Sequence, residues 1–153
     1  MAASYNKAQG TTIAIGTTAA TASSDTYTVI EGAKVLGGLW GVTFAELDGT
    51  VLTDTDKQTL KGLRDAGRME IGGNIKEDPA TGLAAGQLAL ENAAKDVDGD
   101  DIYNFKITMQ NGRIYYLKAR VFSFQRQVGQ NTNLREFKSV LIQQSLFTEA
   151  AAA

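Results

Sequence analysis

The 153-residue chain has no cysteine, no histidine and a single proline. Without cysteine there is no disulfide, no thiolate nucleophile and no zinc–thiolate site. Without histidine, Ser-His-Asp and Cys-His catalysis are excluded, as are the usual proton shuttle near neutral pH and the commonest metal ligand. Long hydrophobic runs are lacking too. The longest mostly apolar stretch, Val35 to Phe44, contains three glycines and is too short to span a bilayer. The opening Met1-Ala2-Ala3-Ser4-Tyr5-Asn6-Lys7 has no apolar core of signal-peptide length, so a cytoplasmic product without membrane insertion is expected. The remainder, 43% hydrophobic and 21% charged, is ordinary for a globular domain. The length suits one domain that can build a core without staples.

Charge is unevenly placed along the chain. Residues 1–101 hold 8 Lys/Arg and 15 Asp/Glu, a net of −7, whereas residues 102–153 hold 7 and 2, a net of +5. Folding mixes the halves in space, so no surface dipole need result. Two sharper readings exist. Unlike patches can meet between copies of the chain. Alternatively, Arg113, Lys118, Arg120, Arg126, Arg135 and Lys138 can form a nucleic-acid patch, against which the acidic overall balance argues.

Residues 1–10 are small and polar and read as an arm. A β-branched run bounded by Gly10 and Gly16 predicts a strand, and Tyr27 to Ile30 predicts a short one. Trp40, Val42 and Phe44 alternate with small residues, which suits a strand over Leu39–Leu47. Asp48 to Ala66 carries seven formal charges and reads as a long connecting loop, a kind usually functional or disordered. Met69, Ile71, Gly73 and Ile75 alternate with Arg68, Glu70, Gly72 and Asn74 as in a half-buried strand. After Pro79 a helix is expected over Thr81–Lys95, with Leu83, Gln87, Leu90 and Ala94 on one face and Glu91 four residues before Lys95. Tyr103 to Met109 alternates. Asn111-Gly112 then signals a hairpin of type I′, with Ile114, Tyr116, Lys118, Arg120, Phe122 and Phe124 on the face opposite Tyr115, Leu117, Ala119 and Val121. Gln125 to Asn133 reads as a polar loop and Leu134 to Phe147 as a long strand. Strands this long in so small a domain must curve, bulge or project beyond their own core.

Candidate chemistry is thin. Asp54 with Asp65, or Glu70 with Glu46, are possible acid–base pairs, but nothing in their spacing shows a shared pocket. Asp96 to Asp101 begins like a calcium loop. It has Asp101 where glycine is needed and Ile107 where a bidentate Glu is needed, so a solvated acidic turn is favoured. Gly37-Gly38-Leu39-Trp40-Gly41 lacks the Lys-Ser/Thr of a phosphate loop. Tyr103, Phe105, Tyr115, Tyr116, Phe122 and Phe124 could stack single-stranded bases, though packing explains them better. No catalytic residue, metal ligand or cofactor is expected. The alternative to a structural protein is a small nucleic-acid-binding β-domain.

The order of the pieces is the most informative feature. A glycine-bounded strand precedes one carrying Trp40-Gly41-Val42. A charged segment follows, with Thr50-Val51-Leu52-Thr53-Asp54, Lys57 and Gly62-Leu63-Arg64-Asp65-Ala66-Gly67, and enters Met69-Glu70-Ile71-Gly72-Gly73-Asn74. Then come a Leu/Ala helix, a strand, an Asn-Gly hairpin and a long last strand. In this order the chain resembles the tail tube proteins (major tail proteins) of long-tailed bacteriophages, more the non-contractile, siphovirus type than the contractile one.

The resemblance implies a mainly β fold, a β-sandwich or half-barrel with one flanking α-helix, whose inner sheets join into a barrel in a hexameric ring. It implies a 1–10 arm, a single tail-tube domain over 11–148 with 48–66 as an inter-subunit loop, and a 149–153 tail. The implied role is a self-assembling virion protein, not an enzyme. Rings stack into a tube, assembled in the host cytoplasm, through which viral double-stranded DNA passes without sequence-specific binding. Implied partners are further copies and the tape-measure, tail-tip and tail-terminator proteins. Trp40, Asp54, Lys57, Arg64, Asp65, Arg120, Phe122, Arg135 and Phe137 are the candidate assembly residues.

Overall fold

A computed structural model of the chain describes residues 9–97, 101–127, 134–146 and 148–150. The elements are β1 (Thr12–Ile15), a 3-10 turn at Ala22–Ser24, β2 (Thr28–Val29), β3 (Ala33–Asp48), β4 (Thr59–Asn74), α1 (Ala85–Lys95), β5 (Tyr103–Thr108), β6 (Ile114–Gln127), β7 (Glu136–Gln143) and β8 (Thr148–Ala150). The strands make one antiparallel sheet in the order β2-β1-β5-β6-β7-β4-β3, with β8 beside the first residues of β6. The mainly β fold with one helix matches the expectation.

One face of the sheet carries the core. Ile13 and Ile15 from β1, Met69 and Ile71 from β4, Phe105 and Ile107 from β5, and Phe137 and Leu141 from β7 meet Leu90 and Ala93 of α1. Complete burial of a side chain like Leu90 is worth about 2 kcal/mol. On β6, Leu117, Ala119 and Val121 point inward until a bulge between Val121 and Ser123 inserts Phe122 as an extra residue. The bulge changes the register of faces. Phe124, expected beside Phe122, turns to the core and stacks on Phe137 at 5.4 Å, whereas Phe122 stays 59% exposed.

The helix starts at Ala85 rather than Thr81, and Ala93 rather than Ala94 is its fully buried alanine. Two features hold it to the sheet. Gly86 lets the helix approach β2 so closely that a Cβ there would collide with the Val29 carbonyl oxygen. Gln87, fully buried, accepts from the Lys76 N–H (3.1 Å) and donates to the carbonyls of Glu31 (2.7 Å) and Asn74 (2.9 Å). It satisfies three backbone groups that a buried helix face would otherwise leave unpaired.

The Asn-Gly hairpin is present but of another type. Only Gly112 has positive φ (87°); the Gly112 N–H donates to Met109 O and the Asn111 side chain accepts from the Arg113 N–H. This is a type I turn closed by a glycine bulge, which needs one left-handed residue rather than two. The expected strand Leu134–Phe147 starts at Glu136 and breaks after Gln143, where the Gln144 N–H donates to the Lys118 carbonyl. It resumes as β8 on the same neighbour, β6. Glu149 and Ala150, expected in a tail, therefore belong to the sheet, and Glu149 pairs with Arg113. Residues 125–127, expected in a loop, extend β6. Residues 1–8, 128–133 and 151–153, and with them Phe147, lie outside the described residues.

Candidate assembly interface

The connection expected over 48–66 is in fact a hairpin. β3 and β4 stay paired from Ala33/Gly73 out to Asp48/Thr59, leaving only residues 49–58 as the turn. β4 has β7 as a second neighbour only over Arg68–Asn74. Beyond that, from Thr43/Asp65 outward, the two strands form a ribbon that leaves the body of the sheet. Among the described residues β3 pairs on one edge only, along its whole length. Register shifts at Trp40/Thr43 and Phe44/Glu46 mark where the ribbon twists away.

This arm is apolar and uncovered. Of the twelve exposed large hydrophobic side chains among the described residues, seven lie between Val42 and Leu63: Val42, Phe44, Leu47, Val51, Leu52, Leu60 and Leu63. Leu63 is 88% exposed and Leu52 wholly so. Leu47 and Leu60 sit directly opposite each other, and Lys61 lies 4.9 Å over the Phe44 ring. The turn is nevertheless well organised. Asp48 accepts from the Thr50 N–H (2.9 Å), which lowers its pKa. The Gln58 N–H donates to Thr50 Oγ1 (2.9 Å), and Asp54 accepts from the Val51 N–H (2.9 Å). Ordered backbone thus presents Leu52 at the apex. Scattered exposed leucines are normal on a protein surface, but seven such side chains concentrated on one hairpin make it the candidate interaction site.

The candidate residues divide. Asp54, Lys57, Arg64 and Asp65 all lie on the arm: Asp54 and Lys57 in the turn, Arg64 opposite Phe44, and Asp65 opposite Thr43 with its carboxylate on the Gly67 N–H (2.9 Å). Trp40 pairs through its backbone with Gly67 at the root of the arm, and its side chain lies outside the described part of the structure. Phe122 is exposed on the body, pushed out by the bulge. Phe137 is a correction. It is 1% exposed and stacked in the core, so it has no surface to offer. Arg120 and Arg135 are already engaged within the chain, with Asp101 (2.8 Å) and Glu77 (2.6 Å). Sequence reasoning passed over Leu47, Leu52, Leu60 and Leu63. Their signal was apolar residues embedded in a charged stretch.

The same pairing resolves the charge asymmetry. Arg113 meets Glu149, and Arg126 meets Glu91, which also holds Lys95. Burial pushes the Glu91 carboxyl up, but hydrogen bonds from Arg126 and Lys95 outweigh it and the net shift is downward. Lys118 donates to the carbonyls of Ala19 and Ala20. Five of the seven basic side chains of the C-terminal third, Arg113, Lys118, Arg120, Arg126 and Arg135, thus have carboxylate or carbonyl partners within their own chain.

Nor do the aromatics make a stacking platform. Phe105 is fully buried, Phe124 packs on the core, and Tyr27 lies 6.1 Å from Tyr116. Tyr27 belongs to a segment pinned over the sheet by Asp25. That carboxylate accepts from Thr17 N (2.7 Å), Thr17 Oγ1 (2.7 Å), Thr26 N (2.8 Å) and Asn104 Nδ2 (2.8 Å). Burial raises its pKa, but the four hydrogen bonds prevail and hold it at about 2. Burial, with the Asp25 charge nearby, pushes the Tyr27 phenol up to about 12.

The acid–base pairs do not assemble. Asp54 lies in the turn, and Asp65 is six strand residues below Thr59, about 20 Å away. Glu46 faces Lys61 and Glu70 faces Gly37, nine residues apart along β3 and about 30 Å. Residues 98–100 of the acidic turn lie outside the described residues. Of its flanks, Asp96 accepts from the Tyr103 hydroxyl and Asp101 from Arg120.

No family model and no curated protein matches the sequence. Solved structures match the fold. Over 99% of this chain and 95% of the other, a chain of the anti-feeding prophage tube-terminating cap aligns with a TM-score of 0.68 at 13% identity. A chain from the tail of an empty gene transfer agent particle with C6 symmetry aligns over 96% and 100%, with a TM-score of 0.67 at 11% identity. A chain of the sheath–tube complex of an extracellular contractile injection system aligns over 93% and 88%, with a TM-score of 0.64 at 9% identity. The fold is phage tail-tube-like. At these identities the fold is what is shared, and the structures that share it are parts of tails and injection devices rather than enzymes.

Proposed function

We propose that this chain is a structural tail protein that assembles with copies of itself into stacked six-membered rings, forming the tube of a phage tail. The observation that carries this reading is the arm: a two-stranded ribbon with seven exposed large hydrophobics, attached to a sheet whose outermost strand is, among the described residues, unpaired along its outer edge. An isolated ribbon of this kind is marginal in water, and a long apolar edge strand invites pairing. A second copy of the chain supplies what both lack. Six-fold order is supported by the C6 tail whose subunit shares the fold.

In a phage tail of the non-contractile kind that the sequence resembles, the lumen would carry double-stranded DNA. Arg113, Arg120, Arg126 and Arg135 are paired with carboxylates of the same chain, which limits the free positive charge that would hold phosphates. Tape-measure, tail-tip and tail-terminator proteins are the further partners on this reading, and the assembled virion is its location.

Electron microscopy of the purified chain over a rising concentration series tests the proposal. Hollow tubes or six-fold rings are the expected result. A monomer at every concentration that binds DNA with an affinity falling steeply with salt would overturn it in favour of a nucleic-acid-binding domain.

A further inference from the structure

Among the described residues nothing covers the arm, and the body carries a cleft of matching character. It has a volume of about 720 Å³ and lies between the start of β1 and the first half of β3. Ile13, Ile30 and Met69 form its apolar floor, and Val29 and Val35, both more than half exposed, stand at its walls. Lys34, Lys76 and Glu31 sit at its rim; Lys34 reaches Glu136 (3.2 Å) and Lys76 reaches Glu31 (3.7 Å), and both lysine side chains are more than half exposed. The tip of the arm, residues 48–58, carries Asp48, Asp54 and Asp56 against Lys57, a net of −2, around the fully exposed Leu52. Apolar apex meets apolar floor, and the acidic tip meets two lysines held only in exposed, weak ion pairs.

We infer that this cleft is the receptor for the arm tip of a second copy, with Leu52 of one chain seated between Val29 and Val35 of the next. The inference rests on the self-assembly reading and adds the place where the arm docks. Filling within one chain is excluded by geometry. β3 itself forms one wall of the cleft up to Gly38 and then runs on to Asp48, carrying the tip about 33 Å away. The contact is therefore heterologous: the donor surface differs from the acceptor, so each copy that receives a tip still has its own tip to offer. Contacts of this kind propagate along an axis instead of closing on a two-fold. Ring-to-ring growth needs that property.

The chain has no cysteine, so introduced thiols report only the positions chosen. The full-length chain carrying Leu52→Cys and Val35→Cys is oxidised at a concentration where microscopy shows assemblies, then separated without reductant. A ladder of dimer, trimer and higher species that reduction collapses is expected, with none from Leu52→Cys combined with the distant, exposed Val97→Cys. Val29→Cys replaces Val35→Cys if the latter blocks assembly. Tubes or rings without a ladder would overturn the docking site and leave the self-assembly reading standing. Absence of both assemblies and ladder would overturn the two together. A fast-migrating monomer cross-linked within one chain would overturn the docking geometry alone.

Discussion

Between Arg68 and Asn74, β4 lies inside the sheet, with β7 on one side and β3 on the other. Between Thr59 and Asp65 the same strand has, among the described residues, β3 alone. The inner part contributes Met69 and Ile71 to the core, 4% and 1% exposed; the outer part displays Leu60 and Leu63, 59% and 88% exposed. One continuous pair of strands thus serves two purposes. Where it is flanked on both sides and packs into the core it stabilises a monomer. Where it is bare it offers apolar surface and unpaired backbone to something else. The difference shows that exposed hydrophobicity in this molecule is localised and held on ordered backbone, as an interface requires.

Substitutions can sharpen the contrast, ordered here by their expected effect on the monomer. Phe137→Ala removes a fully buried ring and its stacking partner for Phe124, and should cost about 3–5 kcal/mol in chemical denaturation. Gln87→Leu leaves the Lys76 N–H and the Glu31 and Asn74 carbonyls without their buried partner, and should cost about 3 kcal/mol by the same measurement.

Asp25 supplies a smaller, pH-dependent contribution. Its folded pKa of about 2 lies below the ordinary 3.8, so its stabilisation is complete above about 3.8 and is lost as pH falls through about 2. Asp25→Asn should flatten the acid-denaturation profile across that window while lowering stability at neutral pH. An unchanged slope would remove Asp25 from the account.

At the other extreme, Leu63→Asp should change monomer stability by no more than about 0.5 kcal/mol yet abolish assembly in light scattering and microscopy. Charge reversal at Arg64 or Asp65 should act in the same direction, blocking tubes while the monomer stays folded. Arm variants that unfolded the monomer as Phe137→Ala does would erase the distinction between the two regions.

What could be read in the sequence follows the same division. Burial writes periodicity, so Met69–Ile75, Tyr103–Met109 and the face of Leu83, Gln87 and Leu90 were visible as alternation or helical spacing. The outer part of β4 has no buried face, and Thr59–Asp65 mixes Leu60 and Leu63 with Gly62, Lys61, Arg64 and Asp65 without alternation. A bare ribbon looks like a loop for this reason. The bulge at Phe122 was equally hidden, since one inserted residue changes which of Phe122 and Phe124 is buried without altering composition. Of the candidate assembly residues, the charged Asp54, Lys57, Arg64 and Asp65 all fall on the arm. The leucines that carry its apolar character were not among them, because exposure of a leucine depends on what fails to pack against it. Phe137 sits on a long strand with apolar residues on both faces, so its place in the core shows only in its burial and its stacking on Phe124.

The account's central claim is that the arm is finished by another copy of the chain. Amide hydrogen exchange, compared between dilute monomer and assembled protein, tests it most directly. Amides of 42–48 and 59–65 should exchange rapidly in the monomer and become strongly protected on assembly, while those of 68–74 stay protected throughout. Arm amides that are already as slow as the core in the monomer, or that stay fast in the assembled form, would contradict it.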